Sequence, residues 1–469
     1  MMRRALVTSI AVFLGGCTVG PNYRRPAVAI PPGFRAPAPA PPAQAASLAD
    51  LKWFEVFEDH ELQGLIRTAL EKNYDLQGAV ARIDVARAGL GIARSTQFPS
   101  FGVGGNVEIN RLSRDGATAL SPAVLPNQNR NFGTAFLALL SFEVDIWGRL
   151  RRATEAARAT LLGAEENRKA VVTTLVGDVA TAYLTLRELD DVLDISARTL
   201  RTREESLELT RSRQQGGVAT LLDLRQSEQL VDTAAQAIPG IEQAIAQTEN
   251  QIHFLLGESP GQVPRGRRLA DQGLAPEVPA GLPSALLQRR PDIRAAEQEL
   301  IAANAEIGVA RAAYFPQLSL SGLLGGQSTQ LSSLFNGPNG VWNLTPQLTQ
   351  PIFTAGRIKA TVKLAEAERT RALVQYERTI ETAFAEVSNS LIAHQKVRES
   401  REKQETLVGA LQDRVRLAYV RYRGGVDTQL NALDADRDLF QAELVLAQIR
   451  LEESLTVVQL YKSLGGGWQ

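Results

Sequence analysis

Apolar and polar positions alternate with two different periods along this chain. From Leu62 to Arg94 the apolar residues fall at helical spacing, which predicts one helix ended by Phe98-Pro99. The period then drops to two. Phe101, Val103, Val107 and Ile109 are apolar, with Asn106, Glu108 and Asn110 polar between them. Phe132, Phe136, Leu140, Phe142, Val144 and Ile146 share one parity in the next segment. Leu318, Leu320 and Leu324 follow the same rule, as do Trp342, Leu344 and Leu348 against Asn343, Thr345, Gln347 and Thr349. Such alternation marks strands with one apolar and one wet face. The predicted strands lie near 99–111, 132–146, 316–328 and 341–353, each long enough for the roughly 9–11 residues of a membrane-spanning β-strand. The connections 111–131 and 329–340 are rich in Ser, Asn, Gly and Pro, as exposed hairpin loops are.

The remainder reads as very long helix. No proline occurs from Asn127 to Ile238, or from Ile352 to the C-terminus. Ile380, Phe384, Val387 and Leu391, and then Leu407, Leu411, Val415, Ala418 and Tyr422, form apolar stripes at spacings of three and four. Gly216-Gly217 and Gly424-Gly425 are the only sensible turns. Arg149 to Gln215 would make about 100 Å of helix, the return from Val218 to Leu256 about 58 Å, and Leu62 to Arg94 about 50 Å. Two short helices end to end match one long one, the geometry of a tube rather than a globule.

The second half repeats the first. Gly91-Ile92-Ala93-Arg94 recurs as Gly308-Val309-Ala310-Arg311, a shift of 217 (308 − 91). Gly148-Arg149, Gly216-Gly217-Val218 and Leu256-Gly257 recur as Gly356-Arg357, Gly424-Gly425-Val426 and Leu464-Gly465, all at a shift of 208 (356 − 148). Constant shift means two copies of one unit. We expect repeats at 51–257 and 284–469, joined by a linker at 258–283, with helical hairpins at 149–257 and 357–465. Four strands cannot stand alone in lipid, because edge N–H and C=O groups would go unsatisfied at several kcal/mol each. The smallest useful bacterial barrels have about eight strands, so the chain should be an obligate oligomer. A trimer would give twelve.

Composition removes most alternatives. Formal charge is zero, which gives no sign of nucleic acid. Three His and one Cys form no spaced ligand cluster, and no phosphate loop, GxSxG or HExxH is present, so we expect neither an enzyme nor a cofactor. Arg3 and Arg4 precede an apolar run from Ala5 to Leu14, too short to span a bilayer, that ends in Leu14-Gly15-Gly16-Cys17. Residues 1–16 therefore read as a secretory signal, and the run is similar to a bacterial lipobox in which Cys17 becomes a lipidated N-terminus. Two or more acyl chains would hold a protein on a membrane. Residues 17–50, with eight prolines from Pro21 to Pro42, read as an extended tether.

Leu282-Pro283, Leu286-Leu287, Arg289-Arg290-Pro291-Asp292-Ile293, Ala296-Glu297, Leu300, Ile307-Gly308 and Tyr314-Phe315-Pro316 closely resemble the outer-membrane efflux lipoproteins, TolC-like factors of the OprM and NodT type. Trp53, Phe57, Asp59, Leu62, Leu65-Ile66, Ala69-Leu70, Asn73 and Asp75-Leu76 match that family's opening, and Cys17 to Tyr23 its lipoprotein start. The resemblance implies an α+β membrane protein. It would be a homotrimer with a twelve-stranded outer-membrane β-barrel, four strands per chain, continued by a long periplasmic α-helical barrel. Such a duct passively exports small molecules. It works with a periplasmic adaptor and an inner-membrane pump of the RND type, and it carries no cofactor. Adaptor contact would fall at Gly216, Gly217, Val218, Gly424, Gly425 and Val426, although glycines terminate helices in any case. Leu433-Asp434-Ala435-Asp436 matches a family segment whose aspartate projects into a closed tip. Asp434, Arg437, Asp427 and Tyr422 are thus the gate candidates, against the plainer reading of a solvated charged face. Asp427 stands where some relatives carry arginine, and Asn431 where some carry a second aspartate. The competing architecture is a lipid-anchored periplasmic coiled-coil scaffold or adaptor, which would lack spanning strands.

Overall fold

A computed structural model of the chain describes residues 18–35, 47–111, 113, 129–272 and 283–468; Cys17 and the signal segment lie outside the described residues. Its helices are α1 (Trp53–Val56), α2 (His60–Lys72), α3 (Tyr74–Ser95), α4 (Arg149–Gln215), α5 (Leu221–Leu256), α6 (Pro283–Arg289), α7 (Pro291–Ala312), α8 (Arg357–Arg423) and α9 (Gln429–Ser463). Its strands are β1 (Phe101–Arg111), β2 (Asn129–Val144), β3 (Gln317–Ser328) and β4 (Gly340–Thr349). The chain divides into two compact units.

The first unit takes residues up to Pro26, Ile83–Gly163 and Ala296–Tyr376. It holds one antiparallel sheet in the order β1-β2-β3-β4. Its register places Val103 opposite Leu137, Leu137 opposite Leu324, and Leu324 opposite Trp342. Nearer the other end, Val144 faces Leu318 and Leu318 faces Leu348. One face is therefore apolar across all four strands. The register of β2 against β3 shifts between Leu139 and Phe142, a β-bulge that inserts one residue. This corrects the parity read from the sequence. Phe132 and Phe136 lie on the face opposite Phe142 and Val144, because a one-residue insertion exchanges the faces. The bulge is what keeps Leu137 and Leu139, before it, on the same face as Phe142 and Val144, after it.

β2 stops at Val144 rather than 146 because Asp145 serves the next helix. Its carboxylate accepts from the N–H of Leu150 (3.1 Å) and Arg151 (2.9 Å). Trp147 stacks on Phe315 with ring centroids 4.6 Å apart, and its Nε1 donates to the Pro316 carbonyl at 2.8 Å. The expected tether is fastened here over its first residues. Val19 N–H donates to the Trp147 carbonyl (3.0 Å), Asn304 to the Pro21 carbonyl (2.9 Å), and Arg152 to Asn22 (2.6 Å). Glu297 accepts from the Tyr23 hydroxyl (3.0 Å) and from Arg25 Nε (2.6 Å). Gly308 lets this strap lie close: a Cβ there would sit 2.7 Å from the Val19 carbonyl oxygen.

The second unit takes Ala27–Arg82, Ala164–Ala295 and Glu377–Gln469. Its core gathers Leu62, Ile66 and Ala69 of α2, Val179, Tyr183 and Leu186 of α4, Ile252 and Leu256 of α5, Ile293 of α7, Ile380 and Val387 of α8, and Leu460 of α9. α4 is long and apolar enough by composition to cross a membrane, yet its most apolar part is this packed core. The stripe expected from Leu407 instead begins at Val408, which packs with Leu411, Leu439, Ala442 and Leu446 while Leu407 points outward.

The single helix expected from Leu62 to Arg94 is two helices. Asn73 is extended (φ −61°, ψ 132°) and breaks it. The buried Asn73 side chain accepts from Leu76 N–H (3.0 Å) and donates to the Leu255 carbonyl (2.9 Å), so it caps α3 and closes the end of α5 together. The second repeat does the same with different chemistry. At the position 217 later, Arg290 separates α6 from α7 and donates to the Ser463 carbonyl (3.0 Å), the counterpart of Leu255. Arg290 also pairs with Asp292 (2.6 Å) and Glu386 (2.7 Å). Beside each break a left-handed glycine turns the chain, Gly257 (φ 71°) and Gly465 (φ 83°).

Asp59 fastens the linker that follows α5. Its buried carboxylate caps α2 through Glu61 N–H (2.9 Å). It also accepts from the Tyr183 hydroxyl (2.9 Å), Arg267 N–H (2.8 Å) and Gln272 (3.1 Å). Burial opposes the charge, but the hydrogen bonds from Gln272, Tyr183, Arg267 and Glu61 outweigh it and hold the carboxyl below the ordinary aspartate range.

Candidate functional site

Each long hairpin turns through the same six-residue geometry. Val218 N–H donates back to the Arg213 carbonyl (2.8 Å) and Val426 N–H to that of Arg421 (3.1 Å). Gly217 and Gly425 both have φ 74°. This is a Schellman-type closure in which only glycine takes the left-handed position without strain. Val218 and Val426, at 79% and 68% exposure, are left projecting from the turns.

Side chains around the two turns differ. Thr220 caps α5 by accepting from Asp223 N–H (3.2 Å), while Asp223 accepts from Thr220 N–H (2.8 Å). Thr428, its counterpart before α9, makes no side-chain cap. Asp427 stands beside it and accepts from Asn431 (2.7 Å), Arg421 Nε (3.0 Å) and Thr428 N–H (2.8 Å). Those contacts, Asn431 first, hold its carboxyl below the ordinary range. Asp434 and Arg437 form an i,i+3 pair at 3.3 Å, both partly exposed. Arg437 also reaches Asp438 (3.5 Å), which Arg414 of α8 holds at 2.8 Å.

Tyr422 is buried where the two hairpins pack. Its hydroxyl donates to Gln429 Oε1 at 3.4 Å, and the Arg213 guanidinium lies 4.6 Å from its ring centre. Gln429 in turn donates to Thr210 (2.8 Å) and Ser227 (2.6 Å), so α9 is hydrogen-bonded to both helices of the first hairpin. About two turns along, buried Asp436 accepts from Arg203 Nε at 2.9 Å. Arg203 also donates to the Leu230 carbonyl (3.2 Å) and lies over the Phe440 ring, 5.1 Å from its centre. Asp434 and Asp436 are two residues apart and differ completely: one faces outward with Arg437, the other is sealed against α4.

Sequence reading missed this buried polar seam. Its signal was present: Ser196, Thr199, Arg203, Ser206 and Thr210, all buried, are spaced three, four, three and four along α4. A heptad stripe filled with small polar residues is easily taken for a solvated face.

Comparison with known proteins settles what kind of protein carries these features. A family model described as outer membrane efflux protein matches residues 65–258 and 282–466. The chain belongs to the outer membrane efflux protein family. It is 38% identical over 472 residues to the probable efflux pump outer membrane protein TtgC of Pseudomonas putida, covering all of this chain and 96% of that one. Among solved structures, the outer-membrane channel OprN superposes with a TM-score of 0.89 at 30% identity, covering 96% of this chain and all of that one. The open state of the Neisseria gonorrhoeae MtrE outer membrane channel gives 0.87 at 32% identity, with 97% and 99% covered. This efflux protein is thus an outer-membrane channel component of an efflux system with a periplasmic helical portion, and a passive transporter rather than an enzyme. The scaffold alternative falls with that finding.

Proposed function

We propose that three copies of this efflux protein close a twelve-stranded barrel through which small molecules leave the cell. The observation that carries the reading is the sheet, whose apolar face runs unbroken over four strands while β1 and β4 form its two edges. In lipid those edges need partners, and β1 of one copy beside β4 of the next supplies them. Native mass spectrometry of the detergent-solubilised protein tests it. A trimer is expected, and a stable monomer or a tetramer overturns it.

Around that channel, Cys17 carries the lipid anchor, and the fastened strap begins at the next residue, Thr18. Gly216, Gly217 and Val218, with Gly424, Gly425 and Val426, meet a periplasmic adaptor. The adaptor joins the channel to an inner-membrane pump of the RND type. Repeats at 51–257 and 284–469 provide the two hairpins that each copy contributes. Asp434 with Arg437 forms the gate, and Asp427 and Tyr422 hold its frame. Three Asp434 carboxylates about a three-fold axis would focus a negative potential on the closed tip. Asp434→Ala should raise ion conductance in planar bilayers, whereas Asp84→Ala, on exposed α3, should not. Wild-type conductance from Asp434→Ala would move the gate elsewhere. Retention of acyl label by Cys17→Ser would refute the anchor.

A further inference from the structure

We propose that Phe132 and Phe136 of β2 form a stacking site for planar aromatic solutes on the water-facing wall of the channel, an inference that rests on the barrel reading above. The register gives the two faces of the sheet different characters. Opposite the apolar face, β1 presents Asn106 and Glu108, β3 presents Ser319, Ser321 and Gln327, and β4 presents Asn343, Thr345 and Gln347. Thr134 is hydrogen-bonded to Asn106 across this face, which confirms it as the polar one. Apolar side chains interrupt it at Phe132, Phe136 and Leu140 of β2, Leu323 of β3 and Val341 of β4, and both aromatic ones stand on β2.

The sheet is shaped for these side chains. Phe136 stands between two glycines in register, Gly104 on β1 and Gly325 on β3. A Cβ at Gly104 would fall 2.8 Å from Phe136 Cζ, so the ring lies across that glycine. Leu140 lies over Gly102 in the same way, 3.2 Å from where a Cβ would be. A ring laid along the wall presents its face, the geometry that offset stacking requires. Covering glycine stabilises a sheet, which accounts for Phe136 on its own. It does not account for Phe132, whose register partner is Glu108.

Lipid cannot occupy this patch, because the opposite face of the same strands is the lipid face. Nor can the same patch of another copy. Twelve strands about 4.8 Å apart and tilted about 40° set a wall radius of about 12 Å, which leaves the three patches separated by roughly 10 Å of water. The occupant is a solute in transit, and the two half-buried rings select aromatic ones.

The test uses the full-length channel in planar bilayers with 1-naphthylmethylammonium and cyclohexylmethylammonium, which share charge and differ in aromaticity. Wild type should hold the naphthyl probe longer, read as the dwell time of current interruptions. Phe132→Leu and Phe136→Leu should each shorten that dwell about two- to tenfold and leave the cyclohexyl dwell unchanged. Equal dwells for the two probes in wild type, or unchanged naphthyl dwell in both variants, would overturn the proposal. If Phe136→Leu does not assemble, Phe132→Leu decides, since it covers no glycine. The barrel reading is checked separately in a Cys17→Ser background. An impermeant maleimide should label Thr134→Cys and spare Leu137→Cys; the reverse pattern would overturn the face assignment itself, whatever the probes do.

Discussion

The two repeats share a backbone and little else. Their long helices are both 67 residues, and their tip glycines share one φ value. Their breaks fall at matching positions, yet Asn73 holds the Leu255 carbonyl with a neutral amide, while Arg290 holds the Ser463 carbonyl from inside an ion-paired cluster. The caps after the tips differ too, a reciprocal Thr220–Asp223 box in one and an Asp427 cluster in the other. Geometry was duplicated and retained, because helix length and turn conformation set how the hairpins stack. The donors that satisfy a given carbonyl are interchangeable, and there the copies have diverged.

The strongest challenge to that view comes where the repeats meet. Arg203→Leu strands the buried Asp436 carboxylate and should cost about 3–5 kcal/mol, read from chemical denaturation in detergent. Adding Asp436→Leu should recover most of the loss; no recovery would mean that Arg203 acts through Leu230 and Phe440 instead. Next come the two breaks. Arg290→Ala should cost about 2–4 kcal/mol, because it leaves two carboxylates and a carbonyl without their donor. Asn73→Ala should cost about 1–2 kcal/mol, the scale of one cap and one hydrogen bond. Equal losses would show that the ion pairs at Arg290 add nothing to the shared carbonyl contact.

Acid should act on the first repeat through Asp59. Its folded pKa is depressed, so its contribution is present in full above the ordinary value of 3.8 and is lost as pH falls through the lower folded value. Thermal stability should therefore fall below about pH 4 in wild type, and less steeply in Asp59→Asn. The smallest effect distinguishes the two tips. Thr220→Ala should cost about 1 kcal/mol of local stability, seen as faster amide exchange in the first turn of α5. Thr428→Ala should change exchange in α9 by less than about 0.5 kcal/mol, since that side chain makes no cap.

How legible each feature was follows from the range of the interaction behind it. Glycine turns, strand alternation and the 208-residue shift are local patterns, and all could be read directly from the residues. Proline at the first helical position, Pro291, starts a helix by its own chemistry, whereas Lys72-Asn73-Tyr74 carries only an asparagine whose second partner lies 182 residues away. The bulge in β2 was invisible because parity within one strand says nothing about its neighbour's register. The Arg203–Asp436 pair joins residues 233 apart, and its local sign, the polar heptad stripe around Arg203, reads equally well as a solvated face. At the candidate gate, the resemblance singled out Asp434, but nothing in the sequence showed that Asp436 is paired with Arg203.

The fastened strap has a consequence for biogenesis. Val19 and Asn22 find partners in Trp147 and Arg152, but those of Tyr23 and Pro21, Glu297 and Asn304, follow 274 and 283 residues behind. The strap can therefore be only partly seated until the helix that carries Glu297 and Asn304 has been synthesised and exported. Full docking of the strap is in that sense a progress signal, available only to a chain that has been made beyond Asn304.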